Sequence, residues 1–269
     1  MWLDENAPIR KQDLVLDKPF VNAAGALGFA PDLHTMPFLE HLGVFITHPI
    51  SRLPRTPARS RAYLPFPGGF LMHTGLPNPG ICRAISRFKK HWAGASLTVI
   101  VHLLVETPET LAEMVRKLEG LENILAVELG LPPTCDAESL ISFMEAAEGE
   151  LPVLVSINPE QVSLFLTQLK LCNPVAMHLT APRGTLPDAD GNLVTGRLYG
   201  PAVFPIMLQA AQTLVEAGFS VIADGGIHAG WQVAAMQAAG ITAVGLGAAL
   251  WGVQSEDIFN SPPEDMNTH

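Results

Sequence analysis

Two small-residue segments carry the clearest chemistry in this sequence, Ala223-Asp224-Gly225-Gly226-Ile227 and Gly245-Leu246-Gly247-Ala248-Ala249. Glycine lets backbone N–H groups approach an anion closely, and a following helix N-terminus adds positive potential, so the two segments together can cradle a phosphate. The expected contacts are Gly225, Gly226, Gly247 and Ala248. The bland alternative is that small residues only let a barrel close; the preference of barrels for phosphate at this position favours the anion.

Three titratable residues sit at or just beyond the ends of expected strands: His48, Glu128 and Cys135. His48 suits proton transfer. Glu128 reads either as a site acid or as the buried partner of an arginine. Cys135 is either a reactive thiol or a packing residue, and reactivity would need an exposed, electropositive setting. His73, His102, His178 and His228 occupy similar positions and read as polar core residues. No HxH or HExxH pair is present, and Cys82, Cys135 and Cys172 form no CxxC, so neither a metal site nor a disulfide framework is expected. Arg52, Arg55, Arg59 and Arg61 lie in one Pro-rich loop, which reads as solvated surface or as an anion-binding lid. Asp188-Ala189-Asp190-Gly191-Asn192 lacks the ligand spacing of a calcium loop and reads as a tight turn.

The elements that must position these residues follow from hydrophobic period. Short β-branched runs alternate with helical-period segments, the pattern of parallel strands joined by helices. Eight strands are expected: Pro19–Ala23, Val44–Thr47, Leu97–His102, Ile124–Leu129, Val153–Ile157, Val175–Thr180, Ser220–Ala223 and Ala243–Leu246. Helices are expected over Asp32–His41, Gly80–Trp92, Pro108–Leu118, Ala137–Ala147, Glu160–Lys170, Ala202–Ala217 and Trp231–Ala239. In 269 residues this is an α/β protein with one (β/α)8 TIM barrel as its single domain. Two loops, Pro49–Pro79 and Pro182–Gly200, exceed what connection requires and are the expected ligand-holding segments. Residues 257–269, polar with two prolines, are expected to form a disordered tail.

Composition narrows the function classes. A chain 48% hydrophobic and 16% charged buries a large core, and a net charge of -10 argues against nucleic acid or anionic membrane as a partner. The N-terminus lacks the apolar core of a signal peptide, and the longest apolar run, Ile241 to Val253, is too short to span a bilayer. A cytoplasmic protein is expected.

Several segments, in order and spacing, resemble the dihydroorotate dehydrogenase family of FMN-dependent barrels. Pro19-Phe20-Val21-Asn22-Ala23-Ala24-Gly25 looks like the family's first-strand motif, Gly75-Leu76-Pro77-Asn78-Pro79-Gly80 like its substrate loop GLxNxG, and Gly200-Pro201-Ala202 with Pro205 like its SGPAxxP stretch. The resemblance implies FMN as cofactor, with Ala23, Ala24, Gly25, Thr47 and Ser156 along the flavin. It implies Gly200 beside the glycine loops at the FMN phosphate, and Gly75, Leu76 and Asn78 at the substrate.

The sequence also departs from the family. Its two flavin-facing lysines fall at His48 and Ser156, leaving His48, Arg52, Arg183 and Arg197 as the cations at hand. The base expected after the fourth strand falls near Pro132. The resemblance thus implies an FMN-dependent oxidoreductase acting on CH-CH bonds, either dihydroorotate to orotate in pyrimidine biosynthesis or a changed substrate. The partners it implies are a small anionic substrate, a soluble electron acceptor and, as in the soluble branch of the family, a second copy in a homodimer. Two rivals use the same loops: a degenerate barrel that binds FMN or another phosphorylated ligand without redox catalysis, and a non-flavin sugar-phosphate lyase or isomerase.

Overall fold

The computed structural model describes residues 14, 16–59, 62–251 and 258–259. The strands and helices, in chain order, are β1 (Phe20–Asn22), β2 (Phe45–Ile46), β3 (Ala62–Phe66), β4 (Gly69–His73), α1 (Ile81–Ala93), β5 (Val99–Leu104), α2 (Pro108–Leu118) and β6 (Ile124–Gly130). There follow α3 (Ala137–Ala146), β7 (Val153–Ile157), α4 (Pro159–Cys172), β8 (Ala176–Leu179), β9 (Arg183–Pro187) and β10 (Leu193–Tyr199). The last are α5 (Phe204–Glu216), β11 (Val221–Asp224), α6 (Gly230–Ala238) and β12 (Ala243–Leu246). No described helix is long and apolar enough to cross a membrane.

The principal sheet runs β1-β12-β11-β8-β7-β6-β5-β2 with every pairing parallel. A parallel bridge between Val21 and Val44 joins its two ends and closes the (β/α)8 barrel. The joint is short of ladder bonds, and Asn22 makes up the deficit. Its fully buried amide accepts from Ile46 N at 2.8 Å and donates to Ile46 O at 2.6 Å, imitating a strand neighbour. Asn22→Ala is therefore expected to lower stability by about 1–3 kcal/mol, because it orphans two buried backbone groups. Urea denaturation checks this, and a loss below about 0.5 kcal/mol, as for an inert surface change, would refute it.

Start signals read in the sequence act as expected. Pro108 and Pro159 open α2 and α4, where a missing N–H costs nothing. The Thr107 and Asn158 side chains accept from the backbone N–H groups of Thr110 and Gln161. The expected helix Asp32–His41 does not form; only a 3-10 turn at Pro37–His41 is present. Pro37 cannot donate to the preceding turn and disfavours helical geometry at Met36, whose φ is −134° and ψ 74°.

The two long loops hold strands that the sequence reading did not anticipate. The first supplies β3 and β4, the second β9 and β10, and they assemble into one antiparallel sheet in the order β3-β4-β10-β9. The expected tight turn at Asp188–Asn192 joins β9 to β10, with Asp188 Oδ1 accepting from Asp190 N and Asn192 N. The expected tail is corrected in part. Ile258 is buried, and Phe259 meets Phe20 edge-on and stacks on His41, because apolar side chains at this point still find barrel surface. Residues 257 and 260–269 lie outside the described residues.

The barrel interior is layered. One apolar layer takes a buried residue from each strand or its edge, including Val21, Ile46, Ile100, Leu154 and Ile222. Side chains two positions apart share a strand face. Two residues further along stand Ala23, His48, His102, Glu128, Ser156, His178, Asp224 and Gly245. An apolar floor thus carries a polar layer, and the sheet from the two loops stands above it.

Candidate active site

The main cavity lies above that polar layer and measures about 560 Å3, the size of a cofactor or substrate pocket. Ala23, Ala24, Gly25, His48 and Ser156 line it, as does Gly75-Leu76 of the substrate-loop motif. Thr47 does not. It is fully buried one level down, where its Oγ1 accepts from His102 N at 3.1 Å.

A smaller recess adjoins the cavity, sharing Tyr199 and Gly247 with it. Gly200, Gly225, Gly226, Gly247 and Ala248, all five residues expected at a phosphate, line this recess together with His228. Among the described residues, the N–H groups of Gly225, Gly226 and Gly247 donate to no backbone acceptor. Orphan amides converging on one point form an anion cradle. The recess holds only about 10 Å3, roughly one oxygen, and Asp224 stands in its wall beside the glycines.

The polar layer contains a fully buried network. His102 Nδ1 and His178 Nδ1 lie 2.9 and 3.0 Å from the same Glu128 oxygen, Oε1. His178 Nε2 faces Asp224 Oδ2 at 3.3 Å, close enough for ion pairing though not with hydrogen-bond geometry. Asp224 Oδ1 accepts from Ala181 N at 3.1 Å. Burial alone would raise the Glu128 pKa, but the imidazoles of His178 and His102 outweigh it and hold the carboxyl well below the usual range. Burial likewise opposes charge on His178, yet Glu128 and Asp224 push it up to about 10. Glu128 is therefore a carboxylate and His178 an imidazolium. His102 Nε2 has no partner and stands where a Gly130 side chain would begin, 2.3 Å from an added Cβ, so only glycine fits at 130.

Glu128, expected at the site, thus acts beneath it, with histidines in place of the arginine partner. His102 and His178, read as polar core residues, form the network with Asp224. The missed signal was the period of two from the apolar layer. His48 does line the cavity; burial holds its pKa below the usual imidazole range, and its Nε2 is buried without a partner. His73 also lines the cavity.

Cys135 does not line the cavity. Its thiol donates to Asp136 O, burial and the Asp136 charge push its pKa up to about 11, and its side chain packs on the core. A protonated thiol off the wall has no route to a ligand, so the expectation of a catalytic Cys135 is corrected. Pro132, at the family base position, does line the wall.

Asn78 also departs from expectation. Its side chain is turned inward, with Oδ1 accepting from Ser51 N and Gly80 N and Nδ2 donating to Leu76 O, so it holds the loop and does not line the cavity. That grip keeps Leu76, on the cavity wall, at φ 52°, a left-handed conformation costing about 1–3 kcal/mol. Asn78→Ala should release the loop, with faster protease cleavage near residue 76 and a stability loss of about 1–3 kcal/mol. An unchanged cleavage rate would refute this role.

Of the cations at hand, Arg52 pairs with Glu113 of α2 at 2.7 Å, outside the cavity. Arg55, Arg183 and Arg197 line the cavity. Arg59 is exposed, and Arg61 lies outside the described residues. Tyr199 and Trp251 complete the wall, with Phe70 stacked on Tyr199, a cluster that the sequence reading missed because its members come from β4, β10 and the segment after β12.

Comparison with known proteins bears directly on this site. The family model described as Dihydroorotate dehydrogenase matches residues 10–260, nearly the whole barrel. The chain belongs to the dihydroorotate dehydrogenase family. Its curated relatives include the catalytic subunit of dihydroorotate dehydrogenase B (NAD(+)) from Trichlorobacter lovleyi, 26% identical over 88% of this chain and 84% of the relative. The proteins of the same name from Pelobacter propionicus and Geobacter sulfurreducens are 25% and 26% identical over the same shares. Among the members of this family, the present chain has histidine, glutamate and aspartate in the layer beneath its cavity.

Proposed function

We propose that this chain is an FMN-dependent oxidoreductase acting on a CH-CH bond of a small anionic substrate. The observation that carries the reading is the recess of orphan amides opening into a cofactor-sized cavity, in a barrel of this family. Gly200, Gly225, Gly226, Gly247 and Ala248 would hold the phosphate. Ala23, Ala24, Gly25 and Ser156 would flank the ring, with Thr47 supporting them from below. FMN would supply the hydride acceptor.

The chain's own residues supply the remainder. Neutral His48 is placed to take the proton that leaves as the double bond forms. The Glu128–His178–Asp224 network holds His102 in the cavity wall and, with two carboxylates against one imidazolium, sets His178 beside Ser156 without replacing the positive charge of the lysine that the family resemblance puts there. His178 and Ser156 are register partners on β8 and β7. The relatives are named for NAD(+), which supports a soluble electron acceptor here too.

One observation favours a second reading, a barrel that binds FMN without turnover: the family base position is Pro132, which has no proton to exchange. The absorbance spectrum of the purified protein, before and after denaturation and after anaerobic addition of dihydroorotate, separates the readings. Released flavin with bleaching establishes the dehydrogenase. Released flavin without bleaching, for dihydroorotate and other small acids alike, favours the binding barrel. No flavin after reconstitution with FMN refutes both and leaves a sugar-phosphate lyase or isomerase.

A further inference from the structure

The antiparallel sheet places Arg183 of β9 directly opposite Arg197 of β10, and both side chains line the cavity. Residues opposed across antiparallel strands have Cβ atoms about 4.5–5.5 Å apart and share a face, and like charges there repel. Among the described residues neither guanidinium has a salt-bridge partner. The nearest acids relieve them only in part, the charge of Glu160 being outweighed at Arg183 by burial and by Arg197. Glu160 Oε1 accepts from the Arg183 backbone N–H at 3.3 Å, and Glu106 is exposed at the cavity edge. Burial and the charge of Arg197 both pull the Arg183 pKa below its ordinary value.

The repulsion is maintained in a chain with 26 acidic and 16 basic residues, where a carboxylate neighbour would be easy to supply. It is relieved when an anion enters the cavity. A single carboxylate can bridge the two guanidiniums only by dividing its two oxygens between them, whereas two carboxylates give each fork its own bidentate partner. We propose that Arg183 and Arg197 form a paired-guanidinium subsite for a small dicarboxylate substrate. The inference rests on reading this cavity as a substrate site. Dihydroorotate, with one carboxylate, would give only one of the two forks a bidentate partner. The glycine recess, whose backbone amides stand beside Asp224 and His228, remains for the cofactor phosphate.

The test is calorimetric titration of the protein as purified with succinate, acetate and inorganic phosphate, with flavin content measured on the same sample. Succinate is expected to bind about tenfold or more tightly than either of the others. Arg183→Gln and Arg197→Gln should each weaken it about tenfold or more, and Arg197→Lys, which keeps the charge but loses the fork, by a smaller factor. Circular dichroism melting establishes that each variant is folded. Should a glutamine variant not fold, the lysine variant decides, since unchanged succinate affinity there overturns the proposal. It is likewise overturned if acetate or phosphate binds as tightly as succinate. Arginine-dependent succinate binding by a protein that takes up no flavin on reconstitution with FMN would retain the subsite and refute the FMN reading. Flavin without such binding would do the reverse.

Discussion

Glu128→Gln is expected to cost about 3–5 kcal/mol of folding stability, because it leaves the imidazolium of His178 in the barrel interior with one carboxylate fewer. Three further groups depend on that carboxylate: His102 through Nδ1, Thr47 through the His102 backbone, and Asp224 through His178. The same network predicts a pH dependence. The folded pKa of Glu128 is depressed, so its contribution is present above the unfolded carboxyl value of 4.5 and is lost as pH falls below it. The folded pKa of His178 is raised from 6.5 to about 10, so its contribution is complete below 6.5 and is lost as pH rises towards 10. In that alkaline window the unfolded chain has released a proton that the native state retains, and stability should fall by up to about 1.4 kcal/mol per pH unit. Urea denaturation from about pH 3 to about pH 10 checks both effects, covering the fall below 4.5 and the rise above 6.5. A wild-type curve that is flat above pH 6.5 would show that His178 is neutral, and a Glu128→Gln protein with the same slope would show that Glu128 does not hold its charge.

Gly226→Ala should empty the cofactor site. A Cβ at Gly226 would lie 2.5 Å from Phe204 N and 2.6 Å from Phe204 Cα, and the glycine has φ +77°. The strained loop can relax only by moving off the start of α5, which takes its amides away from Gly200 and Gly247. Flavin retained through gel filtration is expected to drop about tenfold or more, as several charge-assisted hydrogen bonds are lost together. Gly218→Ala separates strain from contact. Gly218 has φ +93°, but nothing within 4 Å of an added Cβ, so it should lose stability and keep its flavin. Equal flavin content in wild type and Gly226→Ala would falsify the phosphate cradle.

The barrel was legible because parallel strands buried on both faces read as short β-branched runs, and those runs recur between capped helical segments. All eight expected strands lie within two residues of observed ones, and Ala243–Leu246 coincides with β12. The glycine-lined recess was legible for a related reason. Its amides belong to the backbone, and glycine is the residue type that exposes backbone, so Gly200, Gly225, Gly226 and Gly247 carried the signal without any knowledge of their neighbours.

Side-chain sites were legible only as residue types at strand ends. Glu128 was visible as an acid, yet its partners lie at positions 102, 178 and 224, and only barrel closure brings them to one oxygen. Cys135 and Asn78 were placed at the ligand by their position along the chain; the structure turns both away, one into packing and the other into a loop clasp. The loop strands escaped notice because the hairpins β3–β4 and β9–β10 become one sheet only through the β4–β10 pairing, between segments more than a hundred residues apart, and a half-exposed strand has no continuous apolar run to mark it. The sequence by itself determined the barrel, its closed core and the glycine cradle, since each depends on local periodicity or on backbone freedom. Only the tertiary structure decided which charges meet: the Glu128 network inside the barrel and the opposed arginines above it, because a contact between distant segments is set by register and closure.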